Sequence, residues 1–214
     1  MVISENSGAK NVRHSREDVI AAALAILDEY GLADLTMRRL AATLDVQPSA
    51  LYWHFPNKQT LLASVADRIV GRARPIDALS TTSSPPEDWK DTTRAEVAAL
   101  RDALLAFRDG AEVVSSTLAL GLGADDAARR LARAIGGGGF DERTSEIAAA
   151  TLLHFILGHV SHEQQRMQAD SLGVVTDAAA ADPADVTASG PETFHFGVAL
   201  LLTGLEHQGS SVRR

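Results

Sequence analysis

Apolar residues recur every three to four positions along most of the chain, and no stretch shows the strict alternation that marks a half-buried strand. Ile20, Ala23, Leu24 and Leu27 make the first stripe, with Ser15 and Asp18 as its start signal and Gly31 as its stop. Leu40, Ala41 and Leu44 make a second, short one, which Thr36 can cap by accepting a bond from an otherwise unpaired helix N–H. Asp45, Val46, Gln47 and Pro48 interrupt it. Proline suits the first turn of a new helix, where its missing N–H costs nothing. That third helix carries Leu51 and Phe55 and ends at Pro56 and Asn57. Leu61, Leu62, Val65 and Ile69 place a fourth over residues 58–74.

The second half continues in the same period. Helices are predicted over residues 89–107, 111–120, 124–135 and 141–167, and a last hydrophobic one from Phe194 to about residue 207. Gly136, Gly137, Gly138 and Gly139 read as a helix stop and turn, because no Gly-Lys-Ser/Thr follows and no strand precedes. The fold class is all-α. The long helix over 141–167 is apolar on more than one face, through Ile147, Leu152, Leu153, Phe155, Ile156, Leu157 and Val160, so it needs neighbours on several sides or across a dimer. Residues 168–190 have weak periodicity and read as a mobile excursion. The Ser/Thr/Pro-rich stretch 80–86 is the clearest loop of the first half. Three segments follow: a basic N-terminal arm over 1–14, a small head with its connecting fourth helix over 15–74, and a larger body over 75–214.

Residues 36–58 carry the chemistry. Two short helices joined by about four residues make a helix-turn-helix, whose second helix can enter a DNA major groove. With Leu51 and Phe55 facing inward, Tyr52, Trp53 and His54 must spread over outer faces, since successive residues turn by about 100°. Phosphate and base-edge contacts use such side chains; a helical hairpin with half-buried aromatics is the plainer alternative.

Composition adds two constraints. With 214 residues, 45% hydrophobic and 22% charged, the chain suits a soluble globular protein. No apolar run approaches the roughly 20 residues a bilayer span requires. The start MVISENSGAK lacks the apolar core of a signal peptide, which predicts a cytoplasmic protein. Cysteine is absent, excluding disulfides, thiolate zinc sites and cysteine nucleophiles. The net charge of −8 is uneven: residues 10–74 hold nine Lys/Arg against seven Asp/Glu, and residues 75–214 hold eleven against twenty. A weakly basic head on an acidic body suits DNA contact at one end. Lys10, Arg13, His14 and Arg16 lie before the first helix, where an arm could reach phosphates or a minor groove or simply stay solvated.

The stretch LTMRRLAATLDVQPSALYWHFPNKQTLL resembles the DNA-binding signature of the tetracycline-repressor (TetR) family, most specifically at Leu51, Tyr52, Trp53, His54 and Phe55 followed by Asn57 and Lys58. The body is similar to the same family at Trp89, Arg94, residues 103–105, 108–111 and 154–158, and from Phe196 to Glu206. The resemblance implies a homodimeric transcriptional repressor that a small effector releases from a palindromic operator of double-stranded DNA. The long helix and the last helix would pair with their symmetry mates. DNA contacts implied at matching positions are Arg38, Gln47, Pro48, Ser49, Ala50, Tyr52, Trp53, His54 and Lys58. Arg38 could read guanine, while Tyr52, His54 and Lys58 position the phosphate backbone.

The implied ligand-binding set is Arg74, Glu96, Leu100, Leu104, Val114, Thr117, Leu118, His154 and His162, a largely apolar pocket with polar fixtures at Arg74, Glu96, Thr117 and His154. The tetracycline repressor holds a magnesium–drug chelate through a histidine and an acid; Val114 and His162 occupy those positions here. Losing both ligands undermines magnesium coordination, so a hydrophobic effector other than magnesium–tetracycline is expected. His154, His159, His162 and Glu163 share one helix, but Arg166 stands where a His-Glu-x-x-His zinc pattern needs its second histidine. They therefore read as pocket or dimer-interface polarity, with no metal, cofactor or membrane expected. An all-α small-molecule carrier or enzyme on the same scaffold is the alternative to a repressor; the leading reading is a non-enzyme.

Overall fold

The computed structural model describes residues 14–74, 88–171 and 190–212. Every element among them is a helix: α1 (Arg16–Tyr30), α2 (Met37–Thr43), α3 (Pro48–Tyr52), α4 (Lys58–Val70), α5 (Trp89–Leu105), α6 (Gly110–Ala119), α7 (Asp125–Gly136), α8 (Glu142–Ser171) and α9 (Pro191–Val212). The starts are written in the sequence. Ser15 and Asp18 form a reciprocal capping box on α1, and Asn57 and Thr60 form one on α4. Thr36 accepts from the Arg39 amide at 3.1 Å to open α2.

The head, α1 to α4, closes over Val19, Leu27, Leu35, Leu40, Leu51, Phe55, Leu61 and Val65, all at most 1% exposed. Its small core is not left to stand alone. Asp109, in the left-handed region at φ 55°, accepts the Leu32 amide at 2.8 Å on one carboxylate oxygen. Its other oxygen takes the Gln168 side-chain amide at 2.5 Å. Gly31 makes this approach possible, being at φ +84° with a missing Cβ that would lie 2.8 Å from Asp109 Oδ2. In the other direction, Asp67 of α4 accepts the Ala124 amide at 2.7 Å, at the entrance to α7. Two carboxylates thus tie head to body, each through a backbone amide of the opposite part.

In the body, α8 runs 30 residues and packs on α7, α6 and α5. Gln164 is its one deeply buried amide. It donates to the carbonyls of Leu104 (3.0 Å) and Phe107 (2.7 Å) and accepts from the Ala111 amide (3.2 Å), stitching the corner between α5 and α6. Phe194, Val198 and Leu202 of α9 fall at intervals of four and are buried, while Phe196 and Leu200 face outward.

Four boundaries differ from expectation, one of them the last helix, which starts at Pro191 and runs to Val212. The fourth helix stops at Val70 and not near 74, because Gly71 caps it and residues 71–73 continue as turns. The third helix stops at Tyr52, with Trp53 to Phe55 in a tight turn, since the residue before Pro56 is disfavoured in helical geometry. The long helix extends to Ser171, so the first four residues of the anticipated excursion are helical. The rest of that excursion (172–189), the arm up to residue 13, and the loop and domain boundary at 75–87 lie outside the described residues. The glycine turn is as expected, with Gly138 lying against Trp89 and Phe140, whose rings meet edge to face at 5.2 Å.

Candidate nucleic-acid interface and effector site

The turn between α2 and α3 is built on backbone bonds from Asp45 to Ala42 (3.2 Å) and from Val46 to Ala41 (3.0 Å), with Asp45 left-handed at φ 51°. Asp45 can take that geometry because short polar side chains tolerate it. Leu51 and Phe55 then anchor α3 at 1% exposure each, and the Arg16 guanidinium lies 4.7 Å from the Phe55 ring centre. The outward side is what remains: Gln47, Pro48, Ser49 and Ala50 are exposed, Tyr52 is 51% exposed and Trp53 is 90% exposed. A tryptophan held almost wholly in water forgoes about 2 kcal/mol or more of burial. Folding gives no reason for it.

The two adjacent arginines of α2 have different fates. Arg39 is ion-paired with Asp34 and lies 3.7 Å over the Tyr30 ring. That contact lowers the Tyr30 hydroxyl's affinity for its proton, but the hydrogen bond and charge of Glu29 dominate and hold its pKa above the usual value. Arg38 is exposed and makes no described ion pair or hydrogen bond. His54 is half-buried in the turn after α3. Lys58 is half-buried too, with its ammonium 3.5 Å from the Leu32 carbonyl. With three donors, that ammonium can keep this contact and still meet a phosphate.

Among the described residues, the nine expected effector residues are distributed between the core and several surfaces. Leu100, Leu104, Val114 and Thr117 are buried in the common core, and Leu118 is half-buried beside it. The Thr117 hydroxyl is turned back onto its own helix, against the carbonyls of Val113 (3.1 Å) and Val114 (3.0 Å). Glu96 is paired with Arg130 on the α5–α7 face, so its charge is already neutralised within the chain. Arg74 stands in a separate groove with Arg72, Asp102 and alanines of α5. His154 and His162 are exposed on α8. Among the described residues, Arg74, Glu96, Thr117 and His154 each have a local partner or face a different surface.

The histidine cluster also divides. One guanidinium nitrogen of Arg101 donates to both carboxylate oxygens of Glu163 (2.7 and 2.8 Å), and His159 packs between Phe155 and Phe194. Burial pushes the His159 pKa below its usual value; Arg101 and His162 act the same way, while Glu163 opposes them. Among the described residues no three His, Asp or Glu side chains are grouped to hold a metal ion. Asp109, Asp67 and Gln164 escaped the sequence reading. The Arg108-Asp109-Gly110 break was visible, but which backbone amides it would meet depends on tertiary placement.

A groove of about 470 Å³ separates α8 from α9, lined by Ile135, Ile147, Thr151, Leu200, Leu201 and Leu205. Ile147 and Leu200 of this lining are each more than half exposed, as is Phe196 elsewhere on α9. No described helix is long and apolar enough to cross a membrane.

An exposed recognition surface on a compact helix-turn-helix, tied to a helical body, defines a DNA-binding regulator. Residues 19–65 match the family described as bacterial regulatory proteins, tetR family, and residues 82–208 match the tetracyclin repressor-like C-terminal domain. The chain belongs to the TetR family. It is similar to the class C tetracycline repressor protein of Escherichia coli, at 34% identity over 89% of this chain and 90% of that protein. BioQ of Mycobacterium smegmatis has a similar structure, with 41% identity, a TM-score of 0.75, and coverage of 90% of this chain and 97% of that one. A BioQ bound to its natural double-stranded DNA operator matches at 39% identity and a TM-score of 0.70, over 90% of this chain and 98% of that one.

Proposed function

We propose that this protein is a TetR-family transcriptional repressor that binds a palindromic operator as a homodimer and leaves it when its body takes up a small hydrophobic effector. The observation that carries the reading is Trp53, 90% exposed beside exposed Tyr52 and exposed Arg38 on an otherwise well-packed head. Likeness to a BioQ bound to operator DNA supports the same partner. Arg38 and residues 47–50 face the base edges, and Tyr52, Trp53, His54 and Lys58 set the register on phosphates. The apolar faces of α8 and α9, with Ile147, Phe196 and Leu200 exposed, supply the surface for a second copy. Two-fold symmetry then puts the recognition helices about 34–36 Å apart.

The effector acts by favouring a body conformation in which the two heads no longer match that spacing. Asp109 and Asp67, with the packing of α4 on α6, α5 and α7, are contacts through which such a change reaches the head. The buried environment of Val114 and the exposed position of His162 argue against a magnesium–tetracycline chelate. Selection of duplexes from random DNA tests the reading. A two-fold symmetric site retained by the wild-type protein and lost by Trp53→Ala is the expected result; no enriched site would overturn it. Calorimetric titration with tetracycline and magnesium tests the effector, and tight magnesium-dependent binding would refute its exclusion.

A further inference from the structure

The turn that joins α6 to α7 runs through Gly121, Leu122, Gly123 and Ala124, and Gly121, Gly123 and Ala124 are left-handed, at φ 65°, 126° and 61°. Glycine takes such geometry freely. Ala124 does not, and it has no polar side chain that could bond locally and favour it. It is nonetheless the cap of α7, 0% exposed, and no side chain of its own caps that helix. In a capping box the third residue of the helix accepts the backbone N–H of the cap. Here that residue is Ala127, which has no acceptor to offer. The acceptor comes from another helix: Asp67 of α4 takes the Ala124 amide at 2.7 Å.

The surroundings favour this contact. Gly123 lies so near α4 that an added Cβ would sit 3.1 Å from Asp67 Oδ1 and 3.2 Å from the Ala63 carbonyl oxygen. Arg68, next to Asp67, pairs with Glu17 of α1 and so serves the head, while Asp67 serves the body. Asp109 already holds the head at Leu32. A head held at one point can pivot about it; held at two, it turns only by breaking one of them. The packing of α4 on α6 adds to the restraint. Apolar burial is non-directional, however, and tolerates a small slide that a hydrogen bond does not.

We propose that Asp67 is a positioning residue for operator recognition: by pinning α4 to the α6–α7 turn it fixes the angle of each head, and with it the half-site spacing that the dimer accepts. This rests on the repressor reading above. One base pair more or less between half-sites moves their centres by about 3.4 Å and turns one relative to the other by about 35°. A head pinned at Leu32 and Ala124 cannot follow that change. A head freed at Ala124 can, and the alanine is then released from its left-handed geometry.

The test uses the full-length protein, the duplex it selects, and two further duplexes with one base pair inserted or removed at the centre. Affinities are measured by fluorescence anisotropy, well below the melting temperature of every variant. The quantity read is the ratio of affinities between duplexes, which a smaller folded fraction does not move. Wild type should prefer the selected spacing about tenfold or more, and Asp67→Ala should cut that preference to about threefold or less, a change of the size that residues in a coupling element produce. Asp67→Asn, whose amide oxygen still accepts the Ala124 N–H, should restore the preference. Gly123→Ala, which crowds the same contact from the other side, should behave like Asp67→Ala. A wild type indifferent to spacing, a preference unchanged in Asp67→Ala, or a fall in affinity equal for all three duplexes would overturn the proposal. Wild-type protein that selects no symmetric duplex would instead overturn the repressor reading, so the two failures are distinct.

Discussion

Asp109→Ala is the substitution that best separates the head from the body. The carboxylate holds the Leu32 amide at 2.8 Å and the Gln168 amide at 2.5 Å, and hydrogen bonds to a charged group contribute about 1.5–3 kcal/mol each. Alanine also sits less readily than aspartate at φ 55°, at a cost of about 1 kcal/mol. Asp109 is half-buried, so water replaces part of what is lost, and a net destabilisation of about 3 kcal/mol is expected. The loss should concentrate where the bond is. Amide hydrogen exchange at Leu32 and through α1 should accelerate about a hundredfold, since 1.4 kcal/mol corresponds to a factor of ten. Exchange in α8 should change far less. Urea unfolding at fixed protein concentration gives the global figure, because the stability of a dimer depends on concentration. Asp109→Asn keeps an acceptor and tolerates left-handed geometry, so it should fall between wild type and alanine. An alanine variant that lost less than about 0.5 kcal/mol, with unchanged exchange at Leu32, would refute the claim that this carboxylate joins the two parts.

Other outcomes follow from the same packing. Gln164→Leu strands the Ala111 amide in the α5–α6 corner and leaves the Leu104 and Phe107 carbonyls with their backbone donors alone, and at about 1–3 kcal/mol per unsatisfied group it should cost about 2 kcal/mol in urea unfolding. Trp53→Ala, by contrast, should change the melting temperature by no more than a typical surface substitution, about 0.5 kcal/mol in stability, while operator affinity drops at least tenfold by anisotropy. Leu200→Asp places a charge on the exposed α8–α9 face and should convert the dimer to monomer in sedimentation velocity. His159 has its pKa lowered in the fold, so the unfolded chain takes up its proton first as pH falls below about 6.5. Its contribution is therefore complete above that pH and is lost progressively down to the lower folded value; His159→Phe should flatten this part of the stability–pH curve.

The helices and the recognition surface were legible because both are local. Ser15, Thr36, Asn57, Gly31 and Pro48 act on backbone groups within a few residues, and the spacing of Leu51 and Phe55 dictates what Tyr52 and Trp53 must do. The effector set was not legible. Glu96, expected as a pocket carboxylate, has Arg130 beside it from thirty-four residues later, a pairing that no local spacing shows. Likewise the polarity of Thr117 is spent on its own helix, a choice of rotamer that no spacing rule decides. Contacts between head and body were hidden for the same reason: Leu32 and Asp109 are seventy-seven residues apart, and only the packed structure brings them together.

The unequal treatment of Arg38 and Arg39 has a consequence for how such regulators diversify. Arg39 is committed to Asp34 and Tyr30, so replacing it perturbs the entrance to α2. Arg38 makes no ion pair or hydrogen bond among the described residues, so changing it should leave the scaffold untouched. On the proposed reading, in which Arg38 faces base edges, a single codon at position 38 would shift which promoter a duplicated copy silences while folding is preserved. Two neighbouring arginines thus divide inheritance from novelty.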